Sequence, residues 1–260
     1  MTGPDDKRPE DRRNDIRKIA VAFDPACSAP ALLEAAAEIA ASLGAELEAL
    51  FVDDPDMIRL SGLPFGRIVS PFSGKTERLD APALSLRRAG PAAKSRAALQ
   101  RLAQAYRFAY TVRELHGRAM CEAAGESSAE LLVVATFHGK FGGTRSIDEE
   151  ALGLAATATR SVFLVSQYPV SVRRIAVIAD DGSAGERAGQ IARRIAGRYP
   201  EGDGHQVERV DVAGLDAAAA AARVRAVHPT LVVVGLQDAA LSSALRDAFG
   251  QDTFSVLVLR

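Results

Sequence analysis

Two aspartates follow directly on short apolar segments of the kind that is typical of buried strands. Asp24 follows residues 18–23, and Asp180 follows residues 174–179. Ligands of open parallel sheets bind at the carboxyl ends of the strands, so a carboxylate there can contact the base or ribose of a nucleotide. It can equally accept hydrogen bonds from nearby backbone N–H groups and cap its own loop. Both roles remain open, and ligand contact is favoured less at Asp180 than at Asp24.

The segment after the apolar run 131–135 carries glycines and positive charges that could bind an anion. Backbone N–H groups in glycine-rich turns form concave nests for phosphate or carboxylate, and glycine lets the ligand approach closely. The candidate residues are Thr136, His138, Gly139, Lys140, Gly142, Gly143 and Arg145. A lone histidine such as His138 is more often a solvated or packed residue than a catalytic one. An anion nest is therefore one alternative for this loop.

Acidic residues immediately beyond the loop support a different interpretation. Ser146 and Glu149 have the spacing of a capping box, in which both side chains satisfy free N–H groups at a helix start. Asp148, Glu149 and Glu150 would also complement the positive end of that helix, each by about 0.3–1 kcal/mol. A helix start occupied in this way repels a triphosphate. We expect the self-capped helix rather than the anion nest.

Signatures of known catalytic sites are absent from the sequence. It contains no G-x-S-x-G nucleophile elbow, no Walker A motif, no G-x-G-x-x-G after a strand and no paired histidine ligands. Cys27 and Cys121 have neither metal-ligand spacing nor a redox motif, so we expect reduced thiols. The sequence predicts a protein that is not an enzyme and holds no metal.

The composition is typical of a globular protein with a sizeable core. The 260 residues are 48% hydrophobic and 25% charged, and 32 Lys and Arg balance 33 Asp and Glu to a net charge of -1. This balance argues against a nucleic-acid surface. No apolar run approaches the ~18–20 residues of a membrane span. Residues 1–15 are charged and lack the apolar region of a signal peptide. We expect a cytoplasmic protein with a disordered N-terminal tail, and neither nucleic acid nor a membrane as a partner.

The elements that would position the candidate residues repeat along the chain. An apolar strand, an amphipathic helix and a second strand follow one another in residues 18–52, which is a βαβ unit. The same opening recurs 156 residues later, because Ile175 matches Ile19 and Asp180 matches Asp24. The second copy is shorter by what corresponds to one helix and one strand. The sequence predicts an α/β fold of two doubly wound parallel-sheet units, the second truncated, with one continuous sheet from both halves as the alternative.

The predicted domain boundaries follow from this repeat. Residues 16–166 form the first domain and residues 172–260 the second, with a linker that contains Pro169 between them. Residues 53–90 interrupt the first domain as an insert. A connection of this length is usually functional or disordered.

This layout resembles the universal stress protein family. Its members begin with an apolar strand that ends in Asp, here Asp24, and their second strand usually ends in Val before an acidic residue, here Val52 and Asp53. The apolar strand, glycine-rich loop, helix and closing strand of their last third match residues 131–165. The resemblance implies a Rossmann-like fold and a nucleotide site formed by Asp24, Val52 and the loop 136–145.

The phosphate site of the family is where this chain departs from the pattern. Nucleotide-binding members share Gly, two residues, Gly, nine residues, Gly, then Ser or Thr. Here Thr136 stands at the first glycine, Gly139 at the second and Glu149 at the third. In the second half Gly235 can match the first glycine, but Asp238 replaces the second. The comparison implies that the phosphate site is degraded in both halves.

The hypotheses for function follow from this comparison. The first is a non-enzymatic stress-response or regulatory protein of universal stress protein type, without a cofactor and with an unidentified protein partner. The family pairs through its last strands, so residues 162–165 and 256–259 are expected to pair with each other or between two chains of a homodimer. The alternative is a sensor that binds ATP, AMP or another small anion through the first domain. A third hypothesis, an enzyme related to nucleotide hydrolases, lacks a visible nucleophile or base.

Overall fold

The computed structural model describes residues 16–23, 30–52, 55–69, 74–79, 81–115, 125–135, 160–165, 173–179, 182–198, 206–235, 244, 249 and 254–259. The strands are β1 (Lys18–Phe23), β2 (Glu46–Val52), β3 (Arg67–Val69), β4 (Thr76–Arg78), β5 (Tyr110–Leu115), β6 (Leu131–Ala135), β7 (Ser161–Val165), β8 (Arg174–Ala179), β9 (Gln206–Val210), β10 (Leu231–Gly235) and β11 (Ser255–Val258). The helices are α1 (Pro30–Leu43), α2 (Pro55–Ser61), α3 (Ala81–Tyr106), α4 (Ser183–Ala196) and α5 (Ala217–Ala226).

Nine strands form one continuous sheet in the order β5-β2-β1-β6-β7-β11-β10-β8-β9. Every neighbouring pair is parallel except β7 and β11, which run antiparallel with Val162 opposite Val258 and Leu164 opposite Val256. The strands of the two halves therefore belong to one sheet, which is the alternative to two separate sheets. Because of the antiparallel pair, the carboxyl ends of the two sets of strands lie at opposite edges of the sheet.

The apolar runs of the sequence form strands because the sheet is covered on both faces. All five residues of β10 are buried, and all of β1 except its first residue. Parallel strands buried on both sides are nearly continuous runs of Val, Ile, Leu and Ala rather than alternating ones. The predicted strands in these segments are confirmed.

Two hydrophobic cores lie on opposite faces of the sheet because successive side chains of a strand alternate between the faces. Ile19 belongs to the core that contains residues of α1, α3 and α4 on the first face, and Ala20 belongs to the core that contains residues of α5 on the second. Leu99 of α3 and Ile191 of α4 belong to the first core, and Val224 of α5 belongs to the second.

The ends of the helices confirm some of the predicted signals and correct others. Gly44 follows α1 with a positive φ of 62°, the left-handed conformation that favours glycine just after a helix end. The spacing of Ser183 and Glu186 predicts a capping box at the start of α4. That prediction is wrong, because Gly182 is the N-cap residue of α4 and no side chain caps it. Asp216 caps α5 instead, since its carboxylate accepts a hydrogen bond of 2.8 Å from the backbone N–H of Ala219.

The segment predicted as an insert is partly regular. It contains α2, and β3 and β4 pair as a separate two-stranded antiparallel sheet. The helical spacing of the sequence predicts a helix over residues 92–106. α3 begins at Ala81 and contains Pro91, so the predicted start is wrong by 11 residues. The predicted tail 1–15 and the predicted helices 119–124 and 149–159 lie outside the described residues.

Side chains of α4 and of the turn that follows it connect the two halves on the first face of the sheet. The Arg194 guanidinium donates a hydrogen bond to the carbonyl of Leu43 at the end of α1. The Arg198 guanidinium lies 4.9 Å from the centroid of the Tyr106 ring at the end of α3, within cation–π range. These contacts tie the carboxyl ends of α1, α3 and α4 together.

Candidate functional site

The predicted site lies where the connections of the sheet change direction. From β1 the chain moves outward to β2 and β5, and it then returns to the other side of β1 to add β6 and β7. β2, β1 and β6 are parallel neighbours, so their carboxyl ends lie side by side at one edge. In open α/β sheets a ligand crevice forms at such a switch point.

The predicted site residues are contributed by the chain at these three strand ends. Val52 is the last residue of β2 and is buried in the second core. Asp24 directly follows Phe23, the last residue of β1, and Thr136 directly follows Ala135, the last residue of β6. The fold thus brings the three chain segments to one edge. Asp24 and Thr136 themselves lie outside the described residues. The same holds for the other predicted site residues, which are His138, Gly139, Gly142 and Arg145.

An aromatic pair supports the first face of the sheet near the same edge. The rings of Phe23 and Phe51 have centroids 5.1 Å apart and are tilted by 60°. The Arg96 guanidinium of α3 lies 5.6 Å from the centroid of the Phe51 ring and forms an ion pair with Glu114. Arg96 is half exposed, so it places a positive charge close to the ends of β2 and β5. No local sequence pattern indicates this cluster, because its members come from four separate elements.

Gly235 in the second half is explained by packing. A Cβ at this position would lie 2.5 Å from the Cβ of Ala188 and even closer to the carbonyl oxygen of Ala184. No real Cβ is found so close to such atoms, so the end of β10 can approach the first turns of α4 only because residue 235 is glycine. Close packing therefore accounts for glycine at position 235 without a bound phosphate.

A buried acidic side chain lies toward the amino ends of the first-half strands, away from the predicted crevice. Glu48 of β2 is only 3% exposed. Its carboxylate lies 3.2 Å from the Lys18 ammonium and 3.5 Å from the Arg113 guanidinium, and it accepts a hydrogen bond of 2.5 Å from the Ser127 hydroxyl. We call these four residues the Glu48 cluster.

Electrostatics keep the Glu48 carboxylate ionised. Burial alone would raise the pKa of Glu48, but the Ser127 hydroxyl, the Lys18 ammonium and the Arg113 guanidinium outweigh it. The pKa of Glu48 is therefore lowered from its ordinary value of 4.5. A carboxylate with a lowered pKa is a poor general base at neutral pH, so we interpret the cluster as a stabilising one.

Arg160 fixes the segment that supplies Ser127. Its guanidinium donates hydrogen bonds to the carbonyls of Ser127 at 2.5 Å, Ala129 at 3.2 Å and Gly125 at 3.4 Å. The carbonyls of a loop just ahead of a strand need such partners when they are partly buried. Arg160 thereby positions the Ser127 hydroxyl against Glu48.

Neither a cluster of metal ligands nor a membrane-spanning helix is found in the described part of the chain. No three His, Cys, Asp or Glu side chains there lie together as metal ligands would. None of the helices in that part is both long and apolar enough to cross a membrane.

Comparison with known proteins establishes the fold. Neither a family model nor a curated protein matches the sequence. A universal stress protein from Archaeoglobus fulgidus DSM 4304 matches with a TM-score of 0.50 at 13% sequence identity, covering 94% of this chain and 96% of that one. A functionally unknown protein from Pseudomonas aeruginosa PAO1 matches with a TM-score of 0.52 at 15% identity, covering 96% and 94%. The chain therefore has a mostly parallel α/β fold of the kind found in universal stress proteins.

Proposed function

We propose that the chain is a non-enzymatic stress-response or regulatory protein of universal stress protein type whose nucleotide phosphate site is degraded. The observation that carries the proposal is the switch point at β1 and β6, combined with what the sequence places after β6. Such a switch point is where an open α/β sheet ordinarily binds a nucleotide. Asp148, Glu149 and Glu150 stand in the segment that would hold a triphosphate, and their charges would repel it.

We also propose that the chain is a tandem of two related units, the second truncated. The strand orders of the two halves support this division. With β5 set aside, the first half has the order β2-β1-β6-β7 and the second half has the order β9-β8-β10-β11. In each half the second strand along the chain comes first in this order, followed by the first, the next-to-last and the last strand. α1 and α4 have the same length of 14 residues and cover the same face of the sheet. The missing helix–strand pair of the second half then corresponds to α3 and β5.

In this proposal the second half takes the place of a partner subunit. The last strands of the two halves, β7 and β11, pair antiparallel within one chain. The contacts of Arg194 with Leu43 and of Arg198 with Tyr106 add to this pairing. A homodimer through the same strands would require them to separate first, so we favour pairing of the two halves within the chain.

The alternative function is a sensor that binds ATP, AMP or another small anion through the first half. The observation that favours it is the meeting of three chain segments at the ends of β1, β2 and β6, with the half-exposed Arg96 near that edge. AMP would avoid most of the repulsion that the acidic residues impose on ATP, because it lacks the β- and γ-phosphates.

Released nucleotide and thermal shift separate the two functions. The purified protein is denatured and its supernatant is assayed for nucleotide, and the folded protein is then heated with AMP or with ATP and magnesium. A ligand at 100 times its Kd would stabilise the fold by about 2.7 kcal/mol. We expect neither released nucleotide nor a shift with ATP. A shift that Asp24→Ala abolishes, while Asp211→Ala on the exposed loop after β9 retains it, would establish the sensor instead.

A further inference from the structure

The hairpin β3–β4 places two arginines directly opposite each other. Its register pairs Arg67 with Arg78, Ile68 with Glu77 and Val69 with Thr76. The backbone N–H of Leu79 donates to the carbonyl of Gly66 at 2.9 Å, which makes that pair the hydrogen-bonded position. The next pair, Arg67 and Arg78, is therefore of the non-hydrogen-bonded kind, in which opposing side chains lie closest.

The arginine pair is unfavourable for the hairpin by itself. Both residues are exposed, and like charges directly opposite each other on two strands repel. Within the part of the chain that the structure describes, neither guanidinium has an acidic side chain in ion-pair contact. An anionic group placed between the two guanidiniums would turn this repulsion into attraction, since each can donate a pair of parallel hydrogen bonds to a carboxylate or phosphate.

Exposed apolar side chains lie beside the arginines. Val69 follows Arg67 by two residues, so it projects from the same face of the hairpin, and it is 60% exposed. Phe65 precedes Arg67 by two residues and is 75% exposed. Four of the six large hydrophobic side chains that are strongly exposed in the described residues belong to this segment: Leu60, Leu63, Phe65 and Val69. An exposed apolar patch with a charged rim is typical of a binding surface.

We propose that the hairpin face formed by Arg67, Arg78, Val69 and Thr76 binds an extended acidic segment of a partner protein. An Asp or Glu of that segment lies between Arg67 and Arg78, and an apolar side chain two residues away packs on Val69. Two residues of an extended chain span about 6.7 Å, which is also the spacing of successive side chains on one face of β3. This register favours a peptide over a lipid surface, because headgroups in a fluid bilayer have no fixed spacing of charge and apolar contact.

A defined peptide tests the proposal on the full chain. The probe is a fluorescein-labelled peptide in which every second residue is alternately acidic and apolar, so that acidic and apolar side chains follow one another on the same face of the extended peptide. In the control peptide, Asn and Gln replace the acidic residues. Fluorescence anisotropy is measured with the wild type, with Arg67→Glu/Arg78→Glu and with the matched reversal Lys94→Glu/Arg101→Glu on the exposed side of α3. Circular dichroism checks that each variant is folded.

The expected results separate the arginine pair from general charge. The wild type and the α3 variant bind the acidic peptide, the hairpin variant binds it at least about tenfold more weakly, and the amide peptide does not bind. Val69→Ser, which keeps every charge, weakens binding several-fold. High salt weakens the interaction because the pair is exposed.

Three outcomes would overturn the proposal. The first is the absence of binding by the wild type. The second is equal binding by the hairpin variant or equal affinity for the amide peptide. The third is arginine-dependent binding to phosphatidylserine vesicles but not to the peptide, which would assign the face to an anionic membrane surface.

Discussion

A buried carboxylate with several polar partners lies in the second strand of the sheet. Glu48 is held by a hydroxyl and by two cationic side chains that are themselves partly exposed, with 27% exposure for Lys18 and 43% for Arg113. Since the cations can be rehydrated when the acid is lost, its removal costs less than breaking a fully buried ion pair. We therefore expect the cluster to stabilise the first half of the sheet.

Replacing the carboxylate by an amide measures this contribution. Glu48→Gln keeps the shape of the side chain but removes the attraction to Lys18 and Arg113, and we expect it to lower the free energy of unfolding by about 1–2 kcal/mol. Denaturant unfolding provides the measurement. Glu208→Gln on the exposed strand β9 is the control and should change stability by less than about 0.5 kcal/mol. Equal effects of the two substitutions would contradict a stabilising role of the cluster.

The lowered pKa of Glu48 predicts the pH dependence of this stabilisation. A carboxyl whose folded pKa lies below the unfolded one stabilises the fold above the unfolded pKa and loses this effect as pH falls through the folded pKa. The stability difference between wild type and Glu48→Gln should thus be constant above pH 4.5, the ordinary pKa, and shrink below it. Unfolding curves recorded between neutral and acidic pH test this expectation. A difference that grows on acidification would show that the sign is wrong.

The elements of the sheet were predictable where burial on both faces leaves an unbroken apolar run. β1, β6, β7, β8, β10 and β11 are mostly such runs, whereas β2 contains the buried Glu48. Contacts between distant segments could not be predicted in the same way. Ser127 reaches Glu48 across 79 residues of sequence, and no local pattern records that approach.

The start of α3 was missed for a different reason. Its first part contains Pro91 in the helix interior, and an interior proline ordinarily ends a helix because it lacks an N–H donor. The contacts between α2 and α3 and between α1 and α3 pack the helix in spite of that residue. The remaining candidate site residues lie outside the described residues, so their predicted roles stay predictions.

Packing between an element pair gives the next prediction. Gly235→Ala would force a Cβ against Ala184 and Ala188, so β10 and α4 would have to separate, and we expect a loss of about 1–3 kcal/mol. Gly90→Ala in α3 is the control, because a Cβ there meets nothing within 4 Å and alanine favours the helix. Thermal unfolding should show destabilisation in the first variant and none in the second. A neutral Gly235→Ala would leave the glycine unexplained by packing.

At the scale of the whole molecule, one sheet joins the two halves. The junction of β7 and β11 lies at its centre, whereas β5 and β9 form its edges. The fold class was predictable from the repeat, but the joining of both halves into one sheet depends on long-range pairing that the sequence leaves open. We expect the two halves to unfold together, because each of the two cores contains residues of both halves.

Substitution at the junction tests this coupling. Val256→Asp places an unpaired charge in the second core opposite Leu164, and we expect it to lower the free energy of unfolding by about 3–5 kcal/mol. Hydrogen exchange should then accelerate in β1 and β8 alike. Val207→Asp on the edge strand β9, where the side chain is 38% exposed, is the matched control and should cost about 1 kcal/mol or less. Faster exchange confined to the second half would indicate two independent units.

Negative charge in the predicted phosphate site is the basis of the proposed function. Isothermal titration calorimetry with ATP and magnesium tests whether this charge excludes the nucleotide. We expect no measurable binding to the wild type. The variant Asp148→Asn/Glu149→Gln/Glu150→Gln, which removes three negative charges and keeps side-chain size, should gain ATP affinity by at least about tenfold. Gln substitutions at the exposed Glu186 and Glu208 of the second half should bring no gain. ATP binding by the wild type, unchanged in the triple variant, would contradict the account.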